Sequence, residues 1–99
     1  MSHNYDVSKV VHCKKAPRGS FTYIGRPSRW GNPFNLENAK DDEARRDVIE
    51  RYRVWFLQKV ESDPEFRESV EGLRGADLGC WCAPRACHGD VIIEWLENN

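Results

Sequence analysis

From Asp41 to Ser62 the apolar residues Val48, Ile49, Tyr52, Trp55, Phe56 and Val60 recur at the spacing of one helix face. Asp41, Asp42 and Glu43 stand at the end where a helix dipole favours acids. A long helix with a single apolar stripe needs an apolar surface to lie on, and the flanking segments show what can supply it. Ser62-Asp63-Pro64 ends this helix and opens another, as a side-chain cap followed by proline in the first turn, and Phe66, Val70 and Leu73 follow at i, i+4 and i+7. Gly72 and Gly75 mark its end. Val7 to Cys13 is short and β-branched, Phe21 to Ile24 alternates aromatic and β-branched residues, and Ala76 to Cys82 reads as a third strand. Asp90 to Leu96 places Val91, Ile92, Trp95 and Leu96 on a last helical stripe. The order β-β-α-α-β-α predicts an α/β fold, a small mixed sheet of three or more strands covered by two to three helices.

A chain of 99 residues suffices for one domain, residues 1–99, and is too short for two. Four tryptophans, four phenylalanines and three tyrosines supply the apolar volume such a core needs. No run approaches the roughly 20 apolar residues of a membrane span, and Met1-Ser-His-Asn-Tyr-Asp lacks the basic start and apolar stretch of a signal peptide. The expected compartment is the cytoplasm, with no membrane partner. In that reducing setting Cys13, Cys80, Cys82 and Cys87 read as metal ligands, a reactive thiol or small buried residues rather than a disulfide framework. An 11.5 kDa domain with four tryptophans could also bury some of them in a partner.

The net charge is only −1, but it is unevenly spread. Between Val7 and Leu36 there is no acid, against Lys9, Lys14, Lys15, Arg18, Arg26 and Arg29. A solvated loop balancing acidic helices would explain the lysines. The arginines fit an anion, most naturally a phosphate or nucleotide, because guanidinium offers a planar fork to such groups.

Two segments carry the chemistry. Gly25 to Phe34 mixes glycine and proline, which restrict the shapes available, and from that scaffold presents Arg26, Ser28, Arg29, Trp30 and Asn32. Arg26 and Arg29 could clamp a phosphate or carboxylate, Trp30 could stack on a base or sugar, and Asn32 could read an amide or hydroxyl. Equally, Trp30 and Phe34 could plug the core. The second segment, Cys80 to Asp90, holds three thiols and an imidazole. In a strand Cys80 and Cys82 point to one face, and with Cys87 and His88 they make a Cys₃His set that zinc would accept. Alternatively, Cys87 stands where a helix begins and its dipole favours a thiolate, with His88 as a base and Asp90 orienting that base or capping the helix. Both segments directly follow expected strands, so they share a rim of the sheet if the second and third strands are parallel.

Taken together, Tyr23 to Phe34, Tyr52-Arg53-Val54-Trp55, Leu73 to Cys82 and Cys87-His88-Gly89-Asp90 resemble domain of unknown function family 4326, found in phages and bacteria. The resemblance spans about Val7 to Leu96. It implies a small stand-alone domain, often phage-encoded, whose signature blocks are the two segments above, and it implies no activity. The Cys-His step is also similar, more weakly, to an uncharacterised α/β family with Cys-His-Arg at a helix start, where this chain has Gly89.

Two functions follow. One is a domain that binds or processes a nucleotide or other phosphorylated ligand at an Arg/Cys/His site. The other is a zinc-stabilised module that binds nucleic acid or a host protein.

Overall fold

The computed structural model describes residues 9–34, 41–81 and 87–99. Its sheet is built around β3 (Leu78–Cys80), with β1 (Val10–His12) on one side and β2 (Thr22–Tyr23) on the other. Both pairings are parallel, Val10 opposite Leu78 and Tyr23 opposite Gly79. The α/β class and the element order match the expectation, and the sheet expected to be mixed is parallel throughout its described strands. The chain between β2 and β3 carries two helices, and a connection of that length lets β3 enter between the two earlier strands parallel to both. Val7 and Ser8 of the first expected strand, Cys82 of the third, and Ala83 to Ala86 of the second segment lie outside the described residues.

Helix α1 (Asp42–Ser62) begins as its acids foretold: the Asp41 carboxylate accepts the backbone N–H groups of Glu43 and Ala44. Asp63 closes α1 through its own N–H to the Lys59 carbonyl and opens α2 (Pro64–Glu71) by accepting from Glu65 and Phe66. One residue thus serves two helix ends, and the chain folds back without a long loop. Positive φ at Gly75 (83°) then turns it toward β3.

The stripes meet in one core. Tyr52, Phe56 and Val60 of α1 face Phe66 and Val70 of α2 and Val91, Ile92, Trp95 and Leu96 of α3 (Gly89–Asn98), while Ile24 and Leu78 come from the sheet side. Phe56 is fully buried at its centre and meets Phe66 and Trp95 edge to face, at centroid distances of 5.8 and 6.4 Å. At the other end of the core Gly89 lets α3 approach the sheet closely. A Cβ there would come within 2.8 Å of Val10 and 2.9 Å of Ile24.

Two substitutions test this packing by denaturant unfolding. Phe56→Ala is expected to cost about 3–5 kcal/mol. Gly89→Ala, which adds one methyl group where α3 meets Val10 and Ile24, is expected to cost about 1–3 kcal/mol, and a neutral result would show that the approach is looser than described.

Candidate functional site

Because β2 and β3 are parallel, Tyr23 and Cys80 finish on the same rim, and the segments that leave them start side by side. The condition on which the meeting of the two segments depended is therefore met. A cleft of about 260 Å³ opens between them. Arg26 and Asn32 line it from one side, Cys80, Trp81, Cys87 and His88 from the other, and Arg45 from α1.

The loop wall is shaped by its own backbone. Ser28 donates its N–H to the Gly25 carbonyl at 2.8 Å, and Gly31 donates to the Ser28 carbonyl at 3.0 Å, so two turns follow one another. The Tyr23 hydroxyl donates to the Arg26 carbonyl at 3.0 Å and accepts from the Trp81 indole N–H at 3.0 Å, which ties the loop to the end of β3. Gly25 lies under the Tyr23 ring, where a Cβ would fall 2.6 Å from Cζ, so no larger residue fits without moving that ring.

The second wall is built by the start of α3. Helical backbone angles begin at His88, and Cys87 takes the capping role: its Sγ accepts the Gly89 N–H at 3.3 Å, while Asp90 Oδ2 accepts the Cys87 N–H at 3.2 Å. This is the reciprocal geometry of a capping box with a thiol in the place of a hydroxyl. Asp90 therefore caps the helix. His88 is buried and bonds through Nε2 to the Ile24 carbonyl at 2.8 Å. A carbonyl can only accept, so Nε2 carries the proton and the neutral ring keeps its lone pair on Nδ1. Burial holds the imidazole below its ordinary value of 6.5 and Arg26 adds to this, while the Ile24 bond and Asp90 pull the other way. The Tyr52 ring stands edge-on to His88 at 5.0 Å, its hydroxyl donating to the Trp30 carbonyl at 2.7 Å. Burial, and to a lesser degree Cys87, push that phenol far above its usual range.

The residues singled out in the sequence thus fall into two groups. Gly25, Arg26, Asn32, Cys80, Cys87 and His88 line the cleft. Asn32 spends its carbonyl oxygen on the Phe34 N–H, 2.8 Å away. Ser28, Arg29 and Trp30 are not among the lining residues: Arg29 is exposed, the buried Ser28 Oγ has no hydrogen-bond partner among the described residues, and Trp30 packs on the core with its indole N–H on Ser69 Oγ. Cys82 lies outside the described residues. Among the lining residues that the sequence had not singled out as site residues are Arg45 and Trp81. Arg45 is buried on α1, and its spacing to Val48, Ile49 and Tyr52 puts it on the apolar face, a signal legible in the sequence. Trp81 is 54% exposed on the rim, with the Lys14 ammonium 5.5 Å from its ring centroid; nothing in a strand pattern reveals that exposure.

The model of the family described as "Domain of unknown function (DUF4326)" matches residues 9–98. Among curated proteins, the chain is similar to the "Uncharacterized 12.4 kDa protein in nrdA-td intergenic region" of Enterobacteria phage T4, at 38% identity over 75 residues, which is 76% of this chain. The match spans 66% of that relative's length. No solved structure matches.

The buried imidazole sets a pH dependence. Its folded-state value lies below the unfolded one, so on acidification the unfolded chain takes up the proton first and stability falls as pH drops below about 6.5. His88→Gln, whose amide N–H can still reach the Ile24 carbonyl, should flatten that part of the stability profile in chelator-treated protein. An unchanged slope would assign it to another group.

Proposed function

We propose that this chain, which belongs to the DUF4326 family of domains of unknown function, binds a nucleotide or another phosphate-bearing ligand in the cleft, with Cys87 and His88 nearest the reacting group. The observation that carries this reading is that Arg26 and Arg45 line the same cleft as Cys87 and His88. Guanidinium groups match phosphate geometry and keep their charge at any working pH. The Tyr23 and Trp81 rings, linked to each other by a hydrogen bond, offer aromatic surface to a base or sugar, and Trp81 is open to solvent. From the acid-free stretch, Arg26 lines the cleft and the Lys14 ammonium lies over the Trp81 ring, so both bring positive charge to it. In this reading the arginine clamp expected from the sequence keeps Arg26 and takes Arg45 in place of Arg29.

A second reading, a zinc-stabilised module that binds nucleic acid or a host protein, is favoured by the convergence of Cys80, Cys87 and His88. Its mark would be a fold that fails without the metal.

Titration with AMP, ribose 5-phosphate and inorganic phosphate, followed by thermal shift and calorimetry, tests the main reading. Arg26→Ala and Arg45→Gln should each weaken binding by about tenfold or more, the scale of one charge-assisted hydrogen bond. Arg45→Lys should recover part of that loss and Arg29→Ala should leave it unchanged. If no phosphate compound binds, or Arg26→Ala and Arg45→Gln bind as the parent does, the reading fails.

A further inference from the structure

We infer that Cys80, Cys87 and His88 hold a zinc-type divalent ion at the wall of the cleft, with one coordination position turned to the ligand rather than closed by the protein. This deepens the proposed function, on which its account of the ligand rests, and differs from a zinc that serves the fold.

Among the described residues, three metal donors converge. The two Sγ atoms and a ring nitrogen of His88 all lie within 4.8 Å of one another, and all three residues are buried. Zinc with Zn–S bonds of about 2.3 Å spaces its sulfurs about 3.8 Å apart, so no pair of these donors stands more than about 1 Å beyond the spacing of a closed site. Thiolate and imidazole are the donors that zinc prefers, and two thiolates with a neutral imidazole around a divalent ion make a complex without net charge, which a buried wall can bear.

The surroundings already have the form that metal sites require. A ligating histidine donates its other N–H to a carbonyl or carboxylate, which fixes the ring and its tautomer. His88 does this at the Ile24 carbonyl, leaving Nδ1 as the nitrogen with a lone pair. The Gly89 N–H on Cys87 Sγ is likewise the bond that steadies a ligating thiolate. On binding, the ion would displace the protons of Cys80 and Cys87 to solvent, so affinity rises with pH.

Two observations separate this ion from a structural staple. Each ligand is already fixed without it: Cys80 in a strand paired on both sides, Cys87 by its reciprocal bonds with Gly89 and Asp90, His88 by Ile24. All three also line the cleft with Arg26 and Arg45, so an ion there faces the place where the phosphate would sit. Zinc sites with three protein ligands and one open position are the kind that polarise a substrate or activate water.

The test uses full-length protein purified without added metal, then its cobalt(II) derivative. The parent and Cys82→Ser should each carry one zinc per chain, and Cys87→Ser less than a tenth of that. The cobalt derivative should show thiolate charge transfer and four-coordinate d–d bands that azide shifts. Chelation should remove the ion and leave far-UV circular dichroism and a cooperative unfolding transition. Absence of metal together with a fast-reacting thiol at Cys87, loss of zinc in Cys82→Ser, a spectrum indifferent to azide, or unfolding on chelation would each overturn the proposal. Azide does not depend on the arginines, so the same spectrum measured in Arg26→Ala tells failure of the metal site from failure of the phosphate reading.

Discussion

The hydrogen bond from His88 Nε2 to the Ile24 carbonyl joins the two halves of the cleft. Ile24 is the residue at which the chain leaves β2 for the arginine loop, and its own N–H is bonded to the Gly79 carbonyl of β3. His88 is where α3 begins. One polar contact, 64 residues apart in sequence, therefore sets the loop wall against the helix wall and turns Nδ1 away from the carbonyl. Buried as it is, the bond cannot be exchanged for water at no cost, and a donor lost from one side would leave an unsatisfied acceptor on the other.

Around that bond the fold uses close approach rather than bulk. Gly25 accepts the Tyr23 ring, Gly79 accepts Phe21 and Gly89 accepts Val10 and Ile24, so backbone meets side chain at three points around the rim. Behind them Tyr52, Phe56, Phe66 and Trp95 pack ring against ring, and Tyr52 stands edge-on to His88 where α3 begins. A site at the carboxyl ends of parallel strands is the usual outcome when a helix follows a strand and returns over the sheet. Here the return is short, and the residues that make it, from Cys80 to Asp90, are the most chemically loaded in the chain.

Much of this was legible in the sequence. The stripe of α1, the Asp63-Pro64 junction and the last helix follow from spacing and capping chemistry, which are local. The side-by-side exit of the two segments was legible only as a condition on strand direction, because strand order is a tertiary fact and nothing in three short strands states that the third lies in the middle. Arg45 illustrates a readable signal, a cation on an apolar stripe. Trp81 illustrates an unreadable one: in a strand pattern a tryptophan between two cysteines looks like core, and only the end of β3 at the rim brings its ring out. Trp30 went the other way, for a loop tryptophan could stack on a ligand or plug the core, and its bonds to Ser69 and Tyr52 hold it in the core. Asp90 was ambiguous for the same reason, since orienting a base and capping a helix call for the same residue at the same place.

The chain's four tryptophans offer a direct test of where the ligand sits. Trp81 lines the cleft, whereas Trp30, Trp55 and Trp95 pack on or within the core. In a proton–nitrogen correlation spectrum each indole N–H gives a separate signal. Titration with AMP is predicted to move the Trp81 signal far more than the Trp30 signal, whose N–H is bonded to Ser69, and to leave Trp55 and Trp95 in place. A ligand that binds while Trp81 stays still, or that moves all four signals equally, would contradict a cleft built from Arg26, Arg45, Trp81, Cys87 and His88.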